Sequence, residues 1–124
     1  MDAIKRISKE ALKEHIADAE TMIVDVRLNW TTSQKMIRNA HHEDPDQVSN
    51  WQDHYAKDKT IVLYCSTPEE KTSTEVAAQL IEAGFKNVCV LRGGWVVWKS
   101  ADFPMHDKRS DTRPQGVVTG VLNT

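Results

Sequence analysis

Two residues carry the side chain of a strong nucleophile, Cys65 and Cys89, and their settings differ. Cys65 closes the apolar run Thr60-Ile61-Val62-Leu63-Tyr64 and precedes a polar loop, Ser66-Thr67-Pro68-Glu69-Glu70-Lys71. Thr72-Ser73-Thr74-Glu75 follows, a T-x-x-E pattern that predicts a capping box with Thr72 as the first cap of a helix. A cysteine at the carboxyl end of a buried parallel strand stands where open α/β sheets hold their ligands. Backbone N–H groups of a loop running into a helix can converge on an anion, and the helix end adds roughly half a positive charge. Both effects favour a thiolate over a thiol. They also favour a persulfide anion or a bound oxyanion, so the unit reads as a nucleophile site. Cys89, between Val88 and Val90, reads instead as a small core hydrophobe in mid-strand.

Other chemistry-bearing clusters are weaker. His41-His42-Glu43-Asp44 has the side chains of a metal site, but adjacent residues on an extended segment point to opposite faces. No second Cys or His pair completes a tetrahedral set. No metal and no cofactor is therefore expected, and the histidines read as a solvated loop, with one of them bordering the pocket as the alternative. Asp25 and Arg27 end a β-branched stretch, Thr21-Met22-Ile23-Val24-Asp25-Val26-Arg27. They read as an ion pair supporting the loop; the alternative is an Arg27 that faces the pocket and supplies positive charge. Trp30 reads as a wall of the cleft or as core.

The elements that must position these residues follow the βαβ pattern. Ser8 predicts an N-cap for a helix over 9–17. A strand over 21–27 follows, then an irregular stretch from Leu28 to Pro45, and a helix near 46–56 opened by Pro45. The run 60–64 is continuously apolar, as a strand buried on both faces should be. The next helix stops at Gly84; residues 87–91 form a strand, Gly93-Gly94 a turn, and Trp95 to Lys99 a short helix. Residues 106–124 read as a tail, after one domain over 1–105.

Composition sets the class. The chain has 124 residues, 40% of them hydrophobic and 27% charged, with a net charge of −2; that suits one domain and argues against nucleic acid or an anionic membrane as partner. No apolar run approaches the ~20 residues of a membrane span. Met1-Asp2-Ala3-Ile4-Lys5 lacks the apolar core of a signal peptide. Two cysteines make no disulfide framework, so a reducing, cytoplasmic setting is the expectation.

Tyr64-Cys65, the helix after it, Gly84-Phe85, Asn87-Val88, Gly93-Gly94-Trp95 with Trp98, and Pro104 resemble a rhodanese-like domain in order and spacing. Asp25-Val26-Arg27 matches the family's D-x-R, and Ile37-Arg38-Asn39-Ala40-His41 stands where it has I-P-G-A-x. The resemblance covers about residues 5–105. It implies an α/β fold, a mostly parallel five-stranded sheet with helices on both faces. It implies a sulfurtransferase or sulfane-sulfur carrier in which Cys65 bears a persulfide. Ser66, Thr67, Pro68, Glu69, Glu70, Lys71 and Thr72 would form the cradle, supported by Asp25, Arg27 and Trp30. The partners implied are a small sulfur donor, or a persulfide on a protein, and a thiol or cyanide as acceptor.

The sequence departs from the family at the loop. The usual C-x4-R arginine, which helps to bind the donor, is replaced by Glu70, and Cys65-Ser66-Thr67-Pro68-Glu69-Glu70 fits a subgroup with C-x-x-P-x-E. Turned inward, each carboxylate would oppose a thiolate by about 3 kcal/mol at ~5 Å and an effective dielectric of ~20. Carboxylates are seldom buried unpaired, so both are expected to face solvent. Either way the donor expected is a persulfide or polysulfide rather than thiosulfate. Three alternatives stay open: a non-catalytic binding or regulatory module; a cysteine phosphatase or arsenate reductase, with Lys71 at the C-x5-R position; and a redox role with a Cys65–Cys89 disulfide.

Overall fold

The computed structural model describes residues 4–28, 34–66 and 70–107. Trp30, Thr67, Pro68, Glu69 and nearly all of the expected tail lie outside them. In chain order the elements are β1 (Lys5–Ile7), α1 (Lys9–Glu14), β2 (Thr21–Asp25), β3 (Lys35–Ile37), β4 (His41–His42), α2 (Val48–Trp51), β5 (Thr60–Tyr64), α3 (Lys71–Glu82), β6 (Asn87–Leu91), α4 (Gly94–Ser100) and β7 (Met105–Asp107). Five strands make one sheet in the order β1-β6-β5-β2-β4, and every pairing in it is parallel. β5 is the middle strand.

Parallel pairing sets all five carboxyl ends on one edge. Val24 is opposite Leu63 and Asp25 opposite Tyr64, so Val26 and Cys65 leave the sheet side by side, with Arg27 one residue further on. The pleat then sorts the side chains. Ile61, Leu63 and Cys65 face a cluster with Val48, Trp51, Val76, Ala77 and Leu80 of α2 and α3. Ile23, Val62 and Tyr64 face Leu12, Trp95 and Trp98 of α1 and α4. Helices thus cover both faces, as the resemblance implied.

Local chemistry sets the helix ends. Ser8 caps α1, its Oγ accepting from the Ala11 N–H at 3.1 Å, although α1 stops at Glu14 rather than at 17. α3 ends in a paired turn in which Phe85 N–H donates to Leu80 O and Gly84 N–H to Ile81 O; Gly84 carries the required positive φ of 105°. The start of α3 differs from the capping-box expectation. Lys71 is already helical, Glu70 occupies the N-cap in the left-handed region, and Thr72 lies inside the first turn.

The stretch 28–45, expected to be irregular, contains β3 and β4. β3 pairs antiparallel with β7 as a separate two-stranded ribbon, whose Met36 and Ile37 are fully buried. β7 thus carries the fold to Asp107, past the boundary expected at 105. No helix among the described residues is long and apolar enough to cross a membrane.

Cys89 is opposite Val62 and lies with the α1–α4 side of the core. Cys65 is three residues beyond Val62 and on the other face. That is roughly 10 Å of strand, beyond the ~7 Å that a disulfide spans. The redox alternative is therefore excluded in this fold.

Gly93 is the tightest turn. Its φ is 84°, and a Cβ there would stand 2.5 Å from Val97 Cγ1. Valine is stiff at χ1 in a helix, so the clash is not relieved by a rotamer change. Gly93→Ala is expected to cost about 2–4 kcal/mol, read as a lowered urea midpoint.

Candidate functional site

Cys65 is the first residue past the middle strand and is 3% exposed. Its carbonyl accepts the Trp95 N–H at 2.8 Å, which fixes the start of α4 against the strand end. Its Sγ lies 3.3 Å from Ser73 Oγ. Ser73, in the first turn of α3, also donates to the Glu70 carbonyl at 3.2 Å. One hydroxyl has one proton. With a thiol, Cys65 donates to Ser73 and Ser73 to Glu70 O. With a sulfur anion, the Ser73 proton turns to sulfur. The Glu70 carbonyl keeps a donor in both cases, because Thr74 N–H reaches it at 2.9 Å.

Glu70 is neither solvated nor turned on the sulfur unpaired. It is 6% exposed, contrary to the solvent-facing loop expected from the sequence. One carboxylate oxygen accepts Arg6 Nε–H at 2.5 Å and the other Gly93 N–H at 2.8 Å. The physical reason is that a nearly buried carboxylate persists when a cation and a hydrogen-bond donor meet it. The pairing ties β1, the start of α3 and the turn before α4 together. It also leaves the N-cap of α3 with no side-chain hydrogen bond. The Glu70 side chain therefore does not occupy the N–H groups of the first turn, which point back toward the loop.

Asp25 and Arg27 form a buried ion pair. Arg27 Nε–H donates to both Asp25 oxygens at 2.9–3.0 Å, and Nη2 lies 2.7 Å from Asp25 Oδ2. Nη2 also donates to Lys35 O at 3.0 Å, anchoring the ribbon. Both side chains are buried. The guanidinium lies 4.6 Å from the centre of the Trp95 ring, which itself stacks on Tyr64. Arg27 is therefore an internal cation balanced by Asp25, which favours the supporting role over that of a charge supplied to the pocket. The Tyr64 hydroxyl donates to Asp25 Oδ2 at 2.8 Å and accepts Ile37 N–H at 3.1 Å. Burial, and then the Asp25 charge, push the Tyr64 phenol well above 10.0.

Of the residues expected to form a cradle, those described are Ser66 and Thr72, both half-buried, the buried Glu70, and Lys71, which is exposed at the first position of α3. His41 and His42 are half-buried in β4 rather than in a solvated loop; His42 Nε2 lies 3.3 Å from Arg27 O. Sequence reasoning missed Arg6, Ser73 and Gly93. Ser73 carried a signal, a hydroxyl in the turn of helix that follows the cysteine. Arg6 carried none, being 64 residues from its partner.

A strand-end cysteine facing a helix start across this sheet order is the geometry expected from the resemblance. A family model described as the rhodanese-like domain matches residues 8–101. The chain belongs to the rhodanese-like family. The chain is 31% identical over 96 residues to a protein named thiosulfate sulfurtransferase GlpE from Coxiella burnetii, covering 77% of this chain and 88% of that protein. It is 36% identical over 102 residues to the putative sulfurtransferase YtwF of Bacillus subtilis, covering 82% and 96%. In fold it resembles the rhodanese-like domain of the Alr3790 protein from Anabaena sp., with a TM-score of 0.71 at 22% identity, over 100% of this chain and 93% of that one.

In this rhodanese-like domain Tyr64 joins Asp25 to the ribbon. Tyr64→Phe is expected to lower stability by about 1–3 kcal/mol at neutral pH, since the buried Ile37 N–H loses this acceptor. The folded phenol holds its proton above the 10.0 at which the unfolded one releases it. The contribution of Tyr64 is therefore complete below pH 10.0 and falls as pH rises beyond it. Urea unfolding across that range is expected to show the gap between wild type and Tyr64→Phe narrowing on the alkaline side.

Proposed function

We propose that the domain is a sulfurtransferase that carries sulfane sulfur as a persulfide on Cys65, in the cradle formed by residues 66–72. The observation that carries the reading is the Cys65 sulfur lying 3.3 Å from the Ser73 hydroxyl at the start of α3. The Cys65 thiolate attacks the outer sulfur of a donor persulfide, R–S–SH. A new S–S bond forms on Cys65, the donor S–S bond breaks, and the donor leaves as the thiolate RS⁻ with the bonding pair. The proton stays on the transferred sulfur or passes to solvent. Discharge is the reverse chemistry: a thiolate or cyanide attacks the outer sulfur, takes it as persulfide or thiocyanate, and restores the Cys65 thiolate. Ser73 donates to the anionic sulfur in both half-reactions, and the first-turn N–H groups of α3 add their dipoles.

The donor class follows from the charges. Thiosulfate is a dianion that an arginine fork grips in two places. Glu70 stands five residues after Cys65, where the family's arginine would be, and the guanidinium groups of Arg6 and Arg27 are held by Glu70 and Asp25. Among the described residues the Cys65 sulfur meets the Ser73 hydroxyl and the start of α3, and a glutamate in place of the arginine suits a donor of at most one negative charge, a persulfide or polysulfide on a small thiol or a protein. Lys71 offers a point charge rather than the fork used in phosphoryl transfer, so the phosphatase alternative gains nothing. A cysteine cycling between thiol and persulfide works in a reducing compartment, and a cytoplasmic setting goes with the reading.

The test is intact mass after incubation with thiosulfate or with a persulfide donor. Wild type is expected to gain the mass of one sulfur atom, faster from the persulfide, and to lose it to cyanide; Cys65→Ser is expected to gain none. Ser73→Ala is expected to load about tenfold more slowly, the loss of one hydrogen bond to an anion. No uptake by wild type from either donor would leave the binding-module alternative.

A further inference from the structure

We propose that Arg6 is a specificity-determining residue of the Cys65 site: it neutralises Glu70 and so sets how much negative charge a sulfur donor can bring. The inference rests on the sulfur-transfer reading. Arg6 lies on β1, at the edge of the sheet, opposite Val90 of β6, and no local sequence feature marks it. Its side chain is 39% exposed, whereas that of Glu70 is 8% exposed.

The geometry gives Glu70 two described donors, Arg6 Nε–H and Gly93 N–H. Its backbone carbonyl is linked to the Cys65 sulfur through the single hydroxyl of Ser73. A left-handed φ of 62° at a non-glycine residue holds it there. Without Arg6, a nearly buried carboxylate keeps one neutral donor, and its charge is felt by any anion at Cys65. Repulsion of this kind scales with donor charge. A loosened loop would slow every donor alike. Arg6 is thus a positioning residue, acting on the donor through Glu70 rather than by touching it.

The experiment compares two donors of the same reaction type. Thiosulfate carries two negative charges and releases sulfite; benzenethiosulfonate carries one and releases benzenesulfinate. In each case the Cys65 thiolate takes the sulfane sulfur, and the leaving group departs with the broken bond's electron pair. Loading of Cys65 is timed by intact mass in wild type, Arg6→Gln, Arg6→Lys, Glu70→Gln and the double variant Arg6→Gln/Glu70→Gln. Arg6→Gln is expected to slow thiosulfate about tenfold and benzenethiosulfonate about threefold, with the gap narrowing in added salt. Arg6→Lys keeps the charge and is expected to hold the wild-type ratio. The double variant, which removes both charges, is expected to return to that ratio. Equal slowing of both donors in Arg6→Gln, or no slowing, would overturn the role of Arg6 while leaving Cys65 a sulfur carrier. A wild type inert to both donors would overturn the role of Arg6, and one that a persulfide donor also fails to load would overturn the sulfur-transfer reading with it.

Discussion

The two-residue period of a pleated strand is the constraint on which this site depends. β5 is buried on both faces, so each step along it changes which layer a side chain meets. Tyr64 is directed into the α1–α4 side, where its hydroxyl meets Asp25. Cys65, one step later, is directed to the α3 side, where its sulfur meets Ser73. A register shift by one residue would exchange them, placing a phenol at the helix start and a thiol on the buried ion pair. The register is held by five paired positions with β2 and four with β6, and the reactive residue inherits its environment from that ladder.

Around this point the domain manages its charges by pairing. Asp25 and Arg27 are buried together, with Tyr64, Lys35 O and the Trp95 ring meeting their remaining surfaces. A pair of this kind contributes little net stability, yet removing one partner is costly, so its effect is to hold the strand end, the ribbon and α4 in one arrangement. Glu70 and Arg6 repeat the device at the other side of Cys65, closer to solvent. The carboxylate that looked like an obstacle to sulfur chemistry is thus a brace between β1, α3 and the Gly93 turn.

How much of this was legible in the sequence depended on how local its cause was. β5 and β6 were readable to the residue, because continuous apolar runs bounded by polar residues carry their own ends. The Ser8 cap and the Gly84 stop were readable for the same reason. β1, β3, β4 and β7 were not: they are two or three residues long, too short for a period to show. The start of α3 was misread because T-x-x-E at Thr72 imitates a cap, while the true N-cap, Glu70, is fixed by Arg6 from the far edge of the sheet. Cys65 and the Asp25–Arg27 pair were legible as residue types in place. The direction in which Glu70 points was not, since it depends on an arginine distant in sequence and on a backbone N–H that no side chain announces.

The start of α3 beside Cys65 bears on the proposed sulfur transfer. N–H groups of a helix start are held by the backbone, so they need not reorganise as charge moves between sulfur atoms. Ser73 adds a donor that moves, by rotating a proton between two acceptors already in contact. The Glu70 carbonyl loses nothing essential when the proton leaves, because Thr74 N–H remains on it. On the proposed reading, the sulfur that Cys65 receives meets a hydroxyl and a helix start already in place, which is what a carrier needs if that sulfur is to be passed on rather than trapped.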